Sequence, residues 1–195
     1  MQAARGASLN HSGQANPGPP AAHSRRRRLG LFATIAALAY AVDLVSKVVA
    51  VDTLTGRPPV EIVGDYFTLY LARNPGAAFS TGTAYTEVLT GIAVVAAAVV
   101  ILVARRLGST GWAVGLGLLL GGVLGNLTDR LFRSPGPLRG HVVDFFMFPH
   151  FPVFNVADIC INLAAATIMV QAVRGVRVDG LRHNEADGAT EKREP

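Results

Sequence analysis

The chain has 195 residues, half of them hydrophobic and 16% charged, with a mean hydropathy of +0.36 and a formal net charge of +5. A soluble domain of this size carries about a quarter charged residues, and here the apolar residues are gathered in blocks, the mark of a membrane protein. The basic residues sit at the block ends, as orientation signals rather than a nucleic-acid footprint, and the single cysteine, Cys160, excludes an internal disulfide or a cysteine-based zinc cluster.

Residues 1–24 are rich in Gly, Pro, Ser, Asn and Ala without periodicity and predict disorder. With the block Arg25-Arg26-Arg27-Arg28 they form a disordered basic tail over 1–28. A first apolar span follows over residues 29–51, with Asp43 and Lys47 towards its far end. The arginines, the apolar run and Ala39-Tyr40-Ala41 together mimic a cleavable secretory leader. Apolar character resumes after Asp43, however, giving a stretch long enough to span, which favours a retained helix. Asp43 and Lys47 are four residues apart on one helical face and predict an intrahelical ion pair.

Next comes a loop over residues 52–87, in which Phe67, Leu69 and Leu71 alternate with other residues at period two. That pattern predicts a strand over 66–73, ended by the turn signal Asn74-Pro75-Gly76. A small amphipathic sheet on the outer membrane surface is the expectation. The second span covers 88–104 and ends at Arg105-Arg106. The third covers 111–128, with Trp112 as an interface anchor and Asp129-Arg130 at its exit, where the two charges neutralise each other. Small residues at helical spacing, Gly115, Gly117, Gly121, Gly122 and Gly125, predict a close helix-packing face in this span. The fourth span covers 155–173, and 174–195 form a C-terminal tail. The fold expected is therefore an all-α membrane protein, a four-transmembrane-helix bundle over 29–173 with a small extracytoplasmic β-sheet cradle. Basic residues at 25–28, 105–106, 174, 177 and 182 put both termini on the cytoplasmic side and the loops 52–87 and 129–154 outside.

Two acids stand apart. Asp144 lies in Val142-Val143-Asp144-Phe145-Phe146 and Asp158 in Phe154-Asn155-Val156-Ala157-Asp158, with no cation within three positions of either. Acids beside hydrocarbon are costly to ionise and rare. Asp158 alone reads as a helix-cap carboxylate with Asn155 as the cap, but that does not account for Asp144. If the two converge they share one proton; the ionised member then takes a proton from water while the other polarises a carbonyl. A proton or ion pathway is an equal reading of the same acids. His141 and His150 lie near them, but their spacing matches no standard metal-ligand pattern, and neither metal nor cofactor is expected.

Asp43-x-x-x-Lys47, Asn74-Pro75-Gly76-Ala77-Ala78-Phe79-Ser80, Gly121-Gly122-x-x-Gly125-Asn126-Leu127-x-Asp129-Arg130, Val142-Val143-Asp144-Phe145 and Phe154-Asn155-Val156-Ala157-Asp158 occur in that order. The ordered set resembles the signal peptidase II (lipoprotein signal peptidase) family over residues 29–173. The resemblance implies a four-helix aspartic endopeptidase of the bacterial cytoplasmic membrane. It implies removal of the signal peptide from diacylglyceryl-modified prolipoproteins, with cleavage just before the lipidated cysteine. It also implies Asp144 and Asp158 as the catalytic pair, and Asn74, Asn126, Asp129, Arg130 and Asn155 as residues that shape the site and hold substrate. Membrane lipids as partners, an active site at the outer face and inhibition by globomycin follow from the same resemblance. The chain departs from the family pattern in two places: Leu44 stands where the first motif has Gln, and the link 132–140, with two prolines, is longer than usual.

Overall fold

The computed structural model describes residues 22–76 and 86–182. Along the chain run α1 (Ala22–Leu54), β1 (Val60–Val63), β2 (Phe67–Asn74), α2 (Thr86–Ala104), α3 (Thr110–Phe132), β3 (Val142–Met147) and α4 (Val156–Val173). The four helices are long and apolar enough to cross a bilayer, and the strands form one antiparallel sheet in the order β1-β2-β3. The fold is the four-helix membrane bundle with a small sheet. The disorder expected over residues 1–21, the motif beyond Gly76 and the tail beyond Arg182 lie outside the described residues.

Several boundaries differ from expectation for physical reasons. Helix α1 has 33 residues, about 50 Å at 1.5 Å per residue, against a hydrocarbon core of about 30 Å. It overruns the apolar stretch at both ends, so Arg25–28 are helical rather than part of a disordered tail; arginine is a good helix former and nothing in the block interrupts the helix. Helix α3 continues to Phe132, which places Asp129 and Arg130 within its last turns rather than beyond its exit. Residues 174–182, expected to begin a tail, fold back on the α2–α3 turn. There Gly108 N donates to Val178 O at 2.7 Å, and Arg177 N donates to Leu181 O at 2.9 Å. Trp112, expected only as an interface anchor, also donates its indole N–H to Val176 O at 2.7 Å.

Helix α3 is the centre of the bundle and packs on α1, α2 and α4. Its glycines make this possible from two sides at once. A β-carbon at Gly121 would fall 2.6 Å from Ala39 Cβ and 2.8 Å from Ala36 O on α1; one at Gly122 would fall 2.6 Å from Ala157 O on α4. Gly117 faces α1 at Phe32 and Ile35, and Gly115 faces Ile168 on α4. The expected small-residue face is thus two seams. Gly121→Ala should force α1 and α3 apart and destabilise the bundle by about 1–3 kcal/mol, the cost of overpacking a tight core. Thermal unfolding in detergent reads this directly, and an unchanged midpoint would contradict the seam.

The main core gathers Phe32, Ala36, Ala97, Val100, Leu107, Leu116, Leu120 and Val123 between α1, α2 and α3. Outward faces remain apolar, as at Val45 and Val49 on α1, Val95 and Val99 on α2, and Leu163 and Val170 on α4. In water such surface would be costly; against lipid it is what a span requires. A second cluster, Ala50, Leu54, Val143 and Phe145 with Leu69 and Leu71, fastens the sheet to the end of α1. The sequence pattern had shown only β2. Strands β1 and β3 flank it, with Val60 opposite Leu69 and Asp144 opposite Ala72.

Candidate active site

Asp144 and Asp158 are brought towards each other by a hairpin. After β3 the chain turns through His150, which has a φ of 59°, and returns so that Phe154 and Phe146 exchange backbone hydrogen bonds of 3.0 and 2.9 Å. Stacked rings hold the turn closed: Phe148 on Phe154 at 5.8 Å between centroids and Phe67 on Phe148 at 5.0 Å. Offset ring pairs at such distances are favourable. The next residue, Asn155, is the N-cap of α4, and its side chain accepts from Asp158 N at 3.0 Å. In return Asp158 Oδ2 accepts from Asn155 N at 3.1 Å, closing a capping box. The cap role weighed for Asp158 is real.

Asn155 also joins the two acids. Its Nδ2 donates to Asp144 Oδ1 at 2.6 Å and to Asn126 Oδ1 at 3.1 Å. Asn126 Nδ2 in turn donates to Asp158 Oδ1 at 3.0 Å. The other Asp144 oxygen accepts from Asn74 Nδ2 at 2.9 Å. Asn74 lies diagonally across the sheet from Asp144, because Ala72 pairs with Asp144 and Asn74 with Val142. Asn74 Oδ1 is held by Gly76 N at 2.9 Å, so the turn fixes which end of the amide faces the acid. Both carboxylates are therefore linked through two asparagines, one on α3 and one at the start of α4.

Beneath them lies a buried ion cluster. Lys47 Nζ lies 2.8 Å from Asp43 Oδ2 and 2.9 Å from Asp129 Oδ2, and donates to Asn126 Oδ1 at 2.9 Å. Asp43 and Lys47 are both fully buried, and the expected pairing of these two residues is present. Asp43 Oδ1 accepts from Ala157 N at 2.8 Å, so a carboxylate on α1 caps α4. Asp129 makes no salt bridge with Arg130, because adjacent helical residues point in different directions. Its oxygens are taken instead by Lys47, by Arg133 one turn on, and by Val143 N at 3.1 Å. Through that last bond α3 fixes the height of β3, and with it Asp144. Sequence reasoning missed Arg133, although its spacing of four from Asp129 is the usual sign of a helical ion pair.

Arg130 lies alongside Asp129, Asp144 and Asp158, within electrostatic range of all three. Its Nη1 is buried and has no hydrogen-bond partner among the described residues. The guanidinium sits under Gly76, where a β-carbon would approach Nη1 at 3.3 Å; with a φ of 119°, that position favours glycine on both counts. The catalytic and substrate candidates Asp144, Asp158, Asn74, Asn126, Arg130 and Asn155 thus meet at one end of the bundle. Asp129 is just below, its oxygens occupied by the protein itself. Burial pushes the Asp144 carboxyl up to about 6; hydrogen bonds from Asn74 and Asn155 oppose this, and the Asp158 charge adds to it.

Comparison with known proteins places this arrangement in context. A family model described as signal peptidase (SPase) II matches residues 35–174. The lipoprotein signal peptidase of Mycobacterium bovis is 47% identical over 171 residues, which cover 88% of this chain and 85% of that protein. The lipoprotein signal peptidase of Mycolicibacterium smegmatis is 52% identical over 154 residues, covering 79% and 66%. That of Streptomyces coelicolor is 46% identical over 160 residues, covering 82% and 78%. Among solved structures, a bacterial membrane enzyme determined by the in meso method at 2.3 Å resolution shares the fold. Its TM-score is 0.65 at 24% identity, over 74% of this chain and 88% of that one.

Proposed function

The chain belongs to the signal peptidase II family, and from that premise we propose that Asp144 and Asp158 are the catalytic pair of an aspartic peptidase that removes signal peptides from prolipoproteins. The observation that carries the residue assignment is the shared Asn155–Asn126 bridge, which holds two carboxyls of different elements in one hydrogen-bonded unit. Asp158 acts as the ionised base. It lies in the first turn of α4, where the helix dipole favours negative charge, whereas Asp144 sits on a strand with no such dipole. Asp144, buried on β3, carries the proton at rest.

In the reaction Asp158 takes a proton from a water molecule as its oxygen attacks the scissile carbonyl carbon. Asp144 gives its proton to the carbonyl oxygen, and a tetrahedral diol forms. Collapse of the diol breaks the C–N bond; the leaving nitrogen takes the proton held by Asp158, and Asp144 regains its own from the diol. Arg130 Nη1, buried without a partner among the described residues, is offered to a substrate carbonyl, and Asn74, Asn126 and Asn155 keep the carboxyls in register. Asp129 shapes the site from below through β3. Charge balance supports a singly protonated pair. Asp43, Asp129, Asp144 and Asp158 face Lys47, Arg130 and Arg133, so one shared proton leaves the cluster neutral, which burial favours.

The substrate is a prolipoprotein whose cysteine bears a diacylglyceryl group, cut just before that cysteine. The acyl chains stay in the bilayer while the peptide bond meets the site at the end of the spans, and the sheet forms the cradle beside it. The peptidase unit is built on residues 29–173, with 174–182 folded against it. Arg25 bonds the backbone of Arg105, so the basic blocks share the end of the bundle away from the acids. By the basic-residue bias that end is cytoplasmic, and the site opens at the outer face.

Purified protein should cleave a diacylglyceryl peptide before its modified cysteine, and globomycin should block the cut; no cleavage of such a peptide would end this reading. The same assay gives a pH test. Asp144 must hold a proton to act as the acid, and its carboxyl lies at about 6. Activity is therefore lost as pH rises through that value, and kcat/KM should show its alkaline limb there. A flat profile up to pH values well above it would contradict the assignment of roles.

A further inference from the structure

At the far end of the bundle from the acids, α2, α3 and the fold-back after α4 enclose an open-sided cavity of about 860 Å³. Its walls are of two kinds. Leu102, Val103 and Trp112 are apolar and continue the lipid-facing surface; Arg105, Arg106 and Arg177 stand at the rim. Arg177 is partly satisfied by Asp179, its Nη2 lying 3.1 Å from Oδ2. Arg105 and Arg106 have no carboxylate partner among the described residues. The exposed Arg25 bonds the Arg105 carbonyl and brings further positive charge to the same end.

We propose that this cavity binds an anionic phospholipid, its phosphate held by Arg105 and Arg106 and an acyl chain lying along Leu102, Val103 and Trp112. The volume lies in the range of small-molecule sites, and the guanidinium fork suits phosphate oxygens. Two other occupants fit less well. A signal peptide has a positively charged leading segment and is repelled from this rim. The chain's own residues 183–195 include Glu185, Asp187, Glu191 and Glu194, but their only apolar side chains are alanine and proline, too small to fill an apolar wall. A zwitterionic lipid meets the apolar wall but brings no net charge to the arginines. The site rests on no catalytic residue, so it stands or falls separately from the peptidase reading.

Trp112 is the only tryptophan in the chain and lines the cavity, which supplies the readout. The full-length protein is reconstituted in phosphatidylcholine vesicles containing a minor fraction of bromine-labelled lipid, either phosphatidylglycerol or phosphatidylcholine. Bromine quenches indole fluorescence on contact. The labelled phosphatidylglycerol should quench at lower fractions than the labelled phosphatidylcholine, with a preference of about fivefold per arginine engaged. The double variant Arg105→Gln, Arg106→Gln should abolish the preference while peptide cleavage in detergent persists; if it fails to insert, Arg106→Gln alone should reduce the preference. Inorganic phosphate should not relieve the quenching, since a free anion lacks the chain that the wall holds. Equal quenching by both lipids would overturn the proposal, as would a preference that survives both variants or is erased by phosphate. A preference that emerges only after deletion of 183–195 would overturn it too, and would make the tail the occupant.

Discussion

Replacing Asp144 or Asp158 by asparagine is expected to lower peptide cleavage by about 10³-fold or more, within the range that a positioned acid or base contributes. The two variants should differ in stability although they agree in activity. Asn at 144 removes a buried carboxyl held well above its usual range but turns its amide nitrogen towards the Asn74 or Asn155 amide, so one donor there faces another, and no helix cap is touched. Asn at 158 keeps one acceptor for the Asn155 backbone but turns its amide nitrogen towards Asn126 Nδ2, a donor facing a donor. It also removes a charge from the first turn of α4. A loss of about 1 kcal/mol follows for the second variant, in keeping with the usual worth of a cap. Cleavage rates and thermal midpoints measured on the same detergent-purified samples separate the two effects. Substantial turnover by either variant would remove that residue from catalysis, and ion flux in vesicles without hydrolysis would favour the conduction reading of the same acids.

The largest effect on stability is expected at Lys47. Lys47→Met conserves length and leaves the hydrocarbon contacts, yet it strips Asp43, Asp129 and Asn126 of a common partner. Removing one member of a buried ion pair costs about 3–5 kcal/mol because the remaining charge stays buried and uncompensated. Here two carboxylates are left. One of them caps α4 and the other holds β3, so the damage should spread to the site. Adding Asp129→Asn to Lys47→Met should restore part of the lost stability, since the two act through one contact. Simple additivity of the two substitutions would deny the coupling, and an unchanged melting point for Lys47→Met would deny the cluster.

Much of this architecture was legible in the amino-acid order. Long apolar runs gave the spans, because a helix in lipid must satisfy its own backbone and the run length is set by the bilayer. Asp43 with Lys47, a strand at β2 and Asn155 as a cap were local signals, and each is present, although in β2 the buried residue is Thr68 rather than one of Phe67, Leu69 and Leu71. Strand β3 was missed because Val142-Val143-Asp144-Phe145-Phe146 is continuously apolar around its acid and has no period-two alternation. Of the partners of Asp129, Arg133 stood at a legible helical spacing and was overlooked, but Lys47 was missed for another reason. Lys47 reaches it from a different helix, and pairing across helices leaves no trace in sequence spacing. The overrun of α1 was hidden because arginines tolerate a helix as well as a tail. That Asp144 and Asp158 share Asn155 could not be read at all, since it depends on where the returning chain meets β3.

That meeting point has a consequence for how such proteins can vary. The backbone exchange between Phe146 and Phe154 works as a knot tied just short of the two carboxyls. Whatever length of cord hangs beyond it, the strands entering and leaving the knot keep their gauge. A change of length at the tip of the turn, beyond the packed rings, should then leave the two carboxyls where they are.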